Sequence, residues 1–208
     1  MHIVDLVYMP MSNKFNLIKL FLHRIKTKFF YGILLNRVGA KAVIYNPLLL
    51  VNANRISLGS NVLIRDYARI EVVGDGFIDV GNNVSIEQFF HATAGGRLMI
   101  SDNVTISFGA MVTDIDHEYR LIGKHILSQP HVISETFIGE NCFIGASAKI
   151  QAGTILGKQC IVGANSVVRG HFPDYCVLVG TPAKIVKRYN PESGEWERVK
   201  PDGNFYEK

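Results

Sequence analysis

The sequence predicts an all-β solenoid, a parallel β-helix of six-residue repeats, and two observations carry that prediction. Across residues 132–168 every sixth residue is a branched aliphatic: Val132, Ile138, Ile144, Ile150, Leu156, Val162 and Val168. Four residues after each of the first six stands a small or short side chain, in the order Thr136, Cys142, Ala148, Thr154, Cys160 and Ser166. Neither a helical period of 3.6 nor simple alternation generates this pattern, whereas a fixed hexad marks a stacked β-coil. One large aliphatic per hexad points into a narrow prism, and the small residue lets the chain turn a corner. Three hexads make an 18-residue coil, and successive coils stack as parallel strands about 4.8 Å apart. Cys142 and Cys160, one such interval apart, are therefore expected one above the other at the same inner corner.

Composition agrees with one β-rich unit. The 208 residues suffice for a single sizeable core. Apolar residues make up 48%, charged residues 19%, and the 19 glycines suit a chain with many tight corners. A formal charge of +4, with its bases spread out or gathered at the two ends, argues against nucleic acid as a partner. The three cysteines read as buried free thiols in a reducing compartment, which points to the cytoplasm. Residues 1–10 lack the basic start and long apolar run of a secretory signal. Residues 15–35 are partly apolar, but Lys19, His23, Arg24, Lys26 and Lys28 interrupt them, so they are not expected to span a bilayer.

The elements follow in order. Residues 1–40 form an N-terminal segment with an amphipathic helix over about residues 13–36, capped by Ser12. Phe15, Ile18, Leu22, Ile25 and Phe29 fall on one face and the bases on the other. That helix is expected to pack on the solenoid end or on a neighbouring subunit, with peripheral contact at the inner membrane surface as a second role open to it. The β-helix is assigned to residues 41–170. Hexads open at Leu58 and Ile64, slip over 72–79, resume at Val80 and Ile86, slip again over 91–99, and resume at Ile100, Ile106 and Val112. The slips read as short loops leaving the corners, with Gly95-Gly96 marking a turn. The largest departure is a protruding loop over residues 114–131, after which Val132 regains register. A segment of that length in an otherwise regular stack points to function. Residues 171–208 form a C-terminal extension, read as a short helix and a polar tail containing Trp196.

The hexads, followed by Phe172-Pro173 and then Gly180-Thr181-Pro182-Ala183-Lys184, resemble the hexapeptide-repeat acetyltransferases. The match is closest to the sugar and polysaccharide O-acetyltransferases related to galactoside and maltose acetyltransferases. It covers roughly residues 58–188. The resemblance implies a left-handed β-helix, a homotrimer with active sites between adjacent subunits, acetyl-CoA as co-substrate, and no requirement for a metal.

The resemblance also implies site residues. His117, in Thr113-Asp-Ile-Asp-His, stands where the family's general base would be. A sugar hydroxyl is a poor nucleophile whose proton must leave as it attacks the thioester, and an unperturbed imidazole accepts that proton near neutral pH. Asp114 or Asp116 could hold the other ring nitrogen. Ala146 matches the position whose backbone N–H polarises the thioester carbonyl, and Ala164 a backbone contact to the pantetheine arm. Arg169 and Gly170 match a pair just past the last hexad. Lys184 and Lys187 match basic positions that meet the phosphates as point charges, with Arg188 a further candidate. Glu87, Gln88, His91, Tyr119 and Arg120 lie on segments that would surround a sugar or polysaccharide acceptor, although no motif identifies them. Of the other histidines, His2 and His23 belong to the N-terminal segment, His125 and His131 to the irregular loop, and His171 to the solenoid end.

The function expected is acetyl transfer from acetyl-CoA to a hydroxyl of a bacterial surface polysaccharide or its precursor. N-acetylation of a nucleotide-linked amino sugar is the nearest alternative. More distant ones are a γ-carbonic-anhydrase-like zinc enzyme, for which His117, His125 and His131 lack the tight pair spacing, and a non-catalytic scaffold.

Overall fold

The computed structural model describes residues 13–200 and 203–206; Ser12 and His2 lie outside the described residues. From Arg37 onward the chain winds through seven coils around the three faces of a prism, the last coil reaching only the first two. The first face stacks seven parallel strands, from Arg37–Val38 to His171–Phe172. The second begins at Val43–Ile44 and rises in parallel to Cys176–Gly180. The third runs from Leu49–Val51 to Val167–Val168.

The hexad predicts the core. Ile138, Ile144, Ile150, Leu156, Val162 and Val168 are all fully buried, as are the small residues at the corners. The Cys160 N–H donates to Cys142 Sγ at 3.3 Å, so the two cysteines do stack, and Cys176 lies buried on the next coil. The residue after each aliphatic is often glycine because backbones close in there. A Cβ on Gly139 would lie 2.4 Å from the Gly157 carbonyl oxygen, and one on Gly145 would lie 2.6 Å from Ala164 N.

Three expectations need correction. The slips over 72–79 and 91–99 are lengthened strands, not loops: Arg69–Val72, Phe77–Val80, His91–Ala94 and Arg97–Ile100 all join the ladders. Register after the protruding segment returns at Thr136–Ile138, which pairs with Leu98–Ile100. Val132 is exposed and outside the prism, because its strand pairs with the outgoing limb of the loop. Among the described residues the C-terminal extension holds strands in place of the expected helix: Cys176–Gly180 turns back as Ala183–Asn190, and Glu195–Arg198 follows, both antiparallel. Alternation in Ala183-Lys-Ile-Val-Lys fits a strand on a ready sheet edge, and that edge decides the conformation.

The N-terminal helix α1 (Asn13–Lys26) continues as a π-helical turn, Thr27–Tyr31, and a short helical turn, Gly32–Leu34. It packs on the solenoid end, one of the two places expected, and does so through its polar side. Polar groups face inward: Lys19 pairs with Asp66, the His23 ring stacks on Tyr45 at 4.4 Å, and Thr27 Oγ1 accepts from Ile44 N at 2.8 Å. Ile18, Leu22, Ile25 and Phe29 point to solvent. No helix among the described residues is long and apolar enough to cross a membrane.

Candidate active site

The protruding segment leaves the third face after Met111–Thr113 and forms an antiparallel hairpin of Ile115–His117 against His131–Ile133. Its neck is stitched to the coils. Thr136 Oγ1 donates to the Thr113 carbonyl at 2.9 Å, and Ser134 N donates to the Asp114 carbonyl at 2.9 Å. Asp114 is fully buried, and its carboxylate accepts from Gly95 N at 2.7 Å and Gly96 N at 2.9 Å. Burial raises the pKa of this carboxyl, with the two amide donors acting in the opposite direction. A Cβ on Gly96 would lie 2.6 Å from Ile133 Cγ2, so a larger residue there would push that side chain aside.

His117 is exposed on this hairpin, directly opposite His131. The two rings meet edge to face with centroids 5.2 Å apart. Neither aspartate offered as its orienting partner serves that purpose in the chain. Asp114 is occupied by the glycine turn, and Asp116 forms an ion pair with Arg169. His131, read as a loop histidine, is instead the neighbour of His117. The mirrored order Ile115-Asp-His117 and His131-Val-Ile133 could have signalled that antiparallel pairing.

The coenzyme candidates divide between two corners of the prism. Ala146 and Ala164 occupy the corner between second and third faces, on successive coils, with Asn165 N donating to the Ala146 carbonyl at 2.9 Å. Among the described residues neither the Ala146 nor the Ala164 N–H donates to an acceptor. The turn at Gly180 sits over this corner through a 3.1 Å bond from its N–H to Ser166 Oγ. Beyond it Lys184 and Lys187 are exposed on the strand that pairs with Val179 and Val177. Arg188 is turned to the C-terminal residues, with Nη1 3.2 Å from the Gly203 carbonyl and its guanidinium over the Phe205 ring. Arg169 and Gly170 lie at the other corner, between third and first faces, where Arg169 holds the His117 hairpin through Asp116.

The third face joins the two corners. His91 lies on it, between Arg69 and Met111 in register, with Nε2 3.0 Å from Thr93 Oγ1. Burial, and then the Arg69 charge, lower its pKa. Glu87 stands at the second-to-third corner and is paired with Arg65 at 3.0 Å. Gln88 follows it there, its carbonyl accepting from Gly109 N at 2.8 Å. Tyr119 and Arg120 are exposed near the hairpin tip, with Arg120 paired to Glu118 at 2.9 Å. Thus Glu87, Gln88 and His91 share one region, whereas Tyr119 and Arg120 belong to the hairpin. Among the described residues no three His, Cys, Asp or Glu side chains gather as a metal-binding group, so His125 does not join His117 and His131. A groove of about 680 Å³ lies on the first face against Met99, Phe137 and Lys158 and includes none of these candidates.

Comparison with known proteins supplies the context. Residues 135–170 match the family of bacterial transferase hexapeptide (six repeats) proteins. WbbJ of Escherichia coli, named a putative lipopolysaccharide biosynthesis O-acetyl transferase, is 32% identical over 167 residues, which are 76% of this chain and 84% of WbbJ. A galactoside acetyltransferase solved with coenzyme A superposes with a TM-score of 0.56 at 16% identity, over 92% of this chain and 89% of that one. AntD, an N-acyltransferase from Bacillus cereus solved with dTDP and 3-hydroxybutyryl-CoA, superposes with a TM-score of 0.66 at 22% identity, over 77% and 87%. The last two likenesses concern the left-handed β-helix itself.

Proposed function

Because the chain belongs to the hexapeptide-repeat acetyltransferases, we propose that it moves an acetyl group from acetyl-CoA to a sugar hydroxyl of a bacterial surface polysaccharide or its precursor. The observation that carries this reading is the identity to WbbJ across most of that protein. In the reaction His117 takes the proton of the acceptor hydroxyl as its oxygen attacks the thioester carbonyl, and coenzyme A leaves as the thiol. The Ala146 N–H faces the developing oxyanion, a role open to it because it has no acceptor among the described residues. Ala164 meets the pantetheine arm, and Lys184 and Lys187 meet the phosphates. Glu87 and His91 contribute to the acceptor side, with Tyr119 and Arg120 from the hairpin.

Ala146 and His117 stand at different corners of one prism, and this separation supports a site completed by two copies in a homotrimer. Asp116 and Arg169 act as positioning residues: the pair ties the base-bearing hairpin to the coils. The buried thiols and a coenzyme made inside the cell support a cytoplasmic reaction.

The test is thiol release from acetyl-CoA over a panel of surface glycans and nucleotide sugars, wild type against His117→Ala. Loss of a general base should lower turnover by about 10² to 10⁴. Undiminished release in the variant would remove His117 as base. A product cleaved by mild alkali is an ester; one that survives is an amide and would move the reading to an amino-sugar acceptor.

A further inference from the structure

The N-terminal helix presents the wrong face to solvent for a helix whose only task is to cover the coil end. Up to Thr27 its inward contacts are polar, through Lys19, His23, Lys26 and Thr27, and only then does Tyr31 enter the core. Ile18, Phe21, Leu22, Ile25, Phe29 and Ile33 point outward, and Phe21, Phe29 and Ile33 are 62%, 63% and 85% exposed. Single exposed apolar side chains need no explanation, but a continuous stripe of this length does. Inverting the helix to bury the stripe would break the His23–Tyr45 stack and the Thr27–Ile44 hydrogen bond, so the outward orientation is fixed by the fold.

The charge around the stripe is of one sign. Arg24 and Lys28 are exposed beside it, and the Lys28 ammonium lies 5.5 Å from the centre of the Phe29 ring. Between Asp5 and Asp66 the sequence contains no acidic residue. We infer that this face docks the chain on an anionic membrane surface, with α1 lying in the plane of the interface. An interfacial helix needs an apolar face for the acyl boundary and bases at its margins for the head groups, and both are present. Packing of this face against the same face of another copy would bring the bases of both chains together, with no carboxylate from this segment to pair them. The inference goes beyond the acyl-transfer reading and does not depend on it.

Sedimentation of the full chain with phospholipid vesicles tests it. The wild type should pellet with vesicles containing phosphatidylglycerol, far less with phosphatidylcholine alone, and salt should release it. The double change Arg24→Gln with Lys28→Gln should weaken partitioning about 30-fold, at about 1 kcal/mol for each base near an anionic surface. Phe21→Glu with Phe29→Glu should abolish pelleting while leaving the thermal midpoint and the assembly mass from light scattering unchanged. The inference is overturned by a wild type that stays in the supernatant, or by binding indifferent to vesicle charge and to the loss of both bases. It is also overturned by a smaller assembly in the phenylalanine variant, which would assign the face to a second copy.

Discussion

Replacing Asp114 by alanine should destabilise the chain by about 2–4 kcal/mol, although a role beside His117 would predict a loss of chemistry alone. The side chain is fully buried and accepts two backbone N–H groups, from Gly95 and Gly96, at 2.7 and 2.9 Å. Hydrogen bonds to a charged acceptor contribute about 1.5–3 kcal/mol each, and their loss strands both donors. Against that gain of roughly 3–6 kcal/mol stands the cost of burying the carboxylate, which shows in its raised pKa and which alanine escapes. Asp114→Asn keeps one acceptor but turns an amide N–H₂ towards the other donor, so it should cost about half as much. The urea midpoint is the assay: at a slope of about 2 kcal/mol per molar the alanine variant should shift by about 1–2 M. Acetyl transfer should fall with it, since the same clamp holds the neck of the hairpin that carries His117. A variant with an unchanged midpoint and no acetyl transfer would refute the reasoning and return Asp114 to the imidazole.

The interior thiols should be silent. The contact with Cys142 pushes the Cys160 pKa up to about 12 and contact with Cys160 raises that of Cys176, whereas the hydrogen bond with Cys160 lowers that of Cys142; burial is what shields all three, so Ellman's reagent should find none of them in the native chain and all three in urea. Rapid labelling without denaturant would show that the coils open. Stability should also fall on acidification. Burial first, then Lys26 and Arg69 respectively, lower the pKa values of His23 and His91, so the unfolded chain gains protons near pH 6.5 that the folded chain does not. Stability present above that value is lost as pH drops through it towards the folded values; a urea midpoint that rises between pH 7.5 and 5.5 would contradict this.

The coil was legible because its information is local and periodic. Ile138 through Val168 bury as the hexad requires, and Cys142 and Cys160 meet because an 18-residue interval is one coil. Where tertiary contacts decide, periodicity misleads. Val132 continues the count of six yet lies outside the prism, since its nearest strand partner is Asp116. The helix over α1 was legible, but not which face it presents, because polar contacts from His23 and Thr27 outweigh the apolar stripe in placing it. Lys184 and Lys187 sit on a strand because the second face offers an open edge just where Gly180 reverses the chain. Within the candidate site, His117 was singled out through its neighbours in sequence. The pairings of Asp116 with Arg169 and of His117 with His131 join residues 53 and 14 positions apart, and neither separation is a multiple of the repeat.

Parallel coils have an inherent hazard: each is a template for the next, and a bare terminal coil would accept one from another molecule and grow into a fibre. The second face is plugged at both extremes. At its start the Ile44 N–H donates to the hydroxyl of Thr27, not to another strand, so the helix occupies the lower rim. At its finish Cys176–Gly180 folds back on itself as an antiparallel ladder whose last strand, Glu195–Arg198, carries charge along the outer margin. The extent of this molecule is thus governed by its two stoppers, while the repeat between them could in principle run to any number of turns.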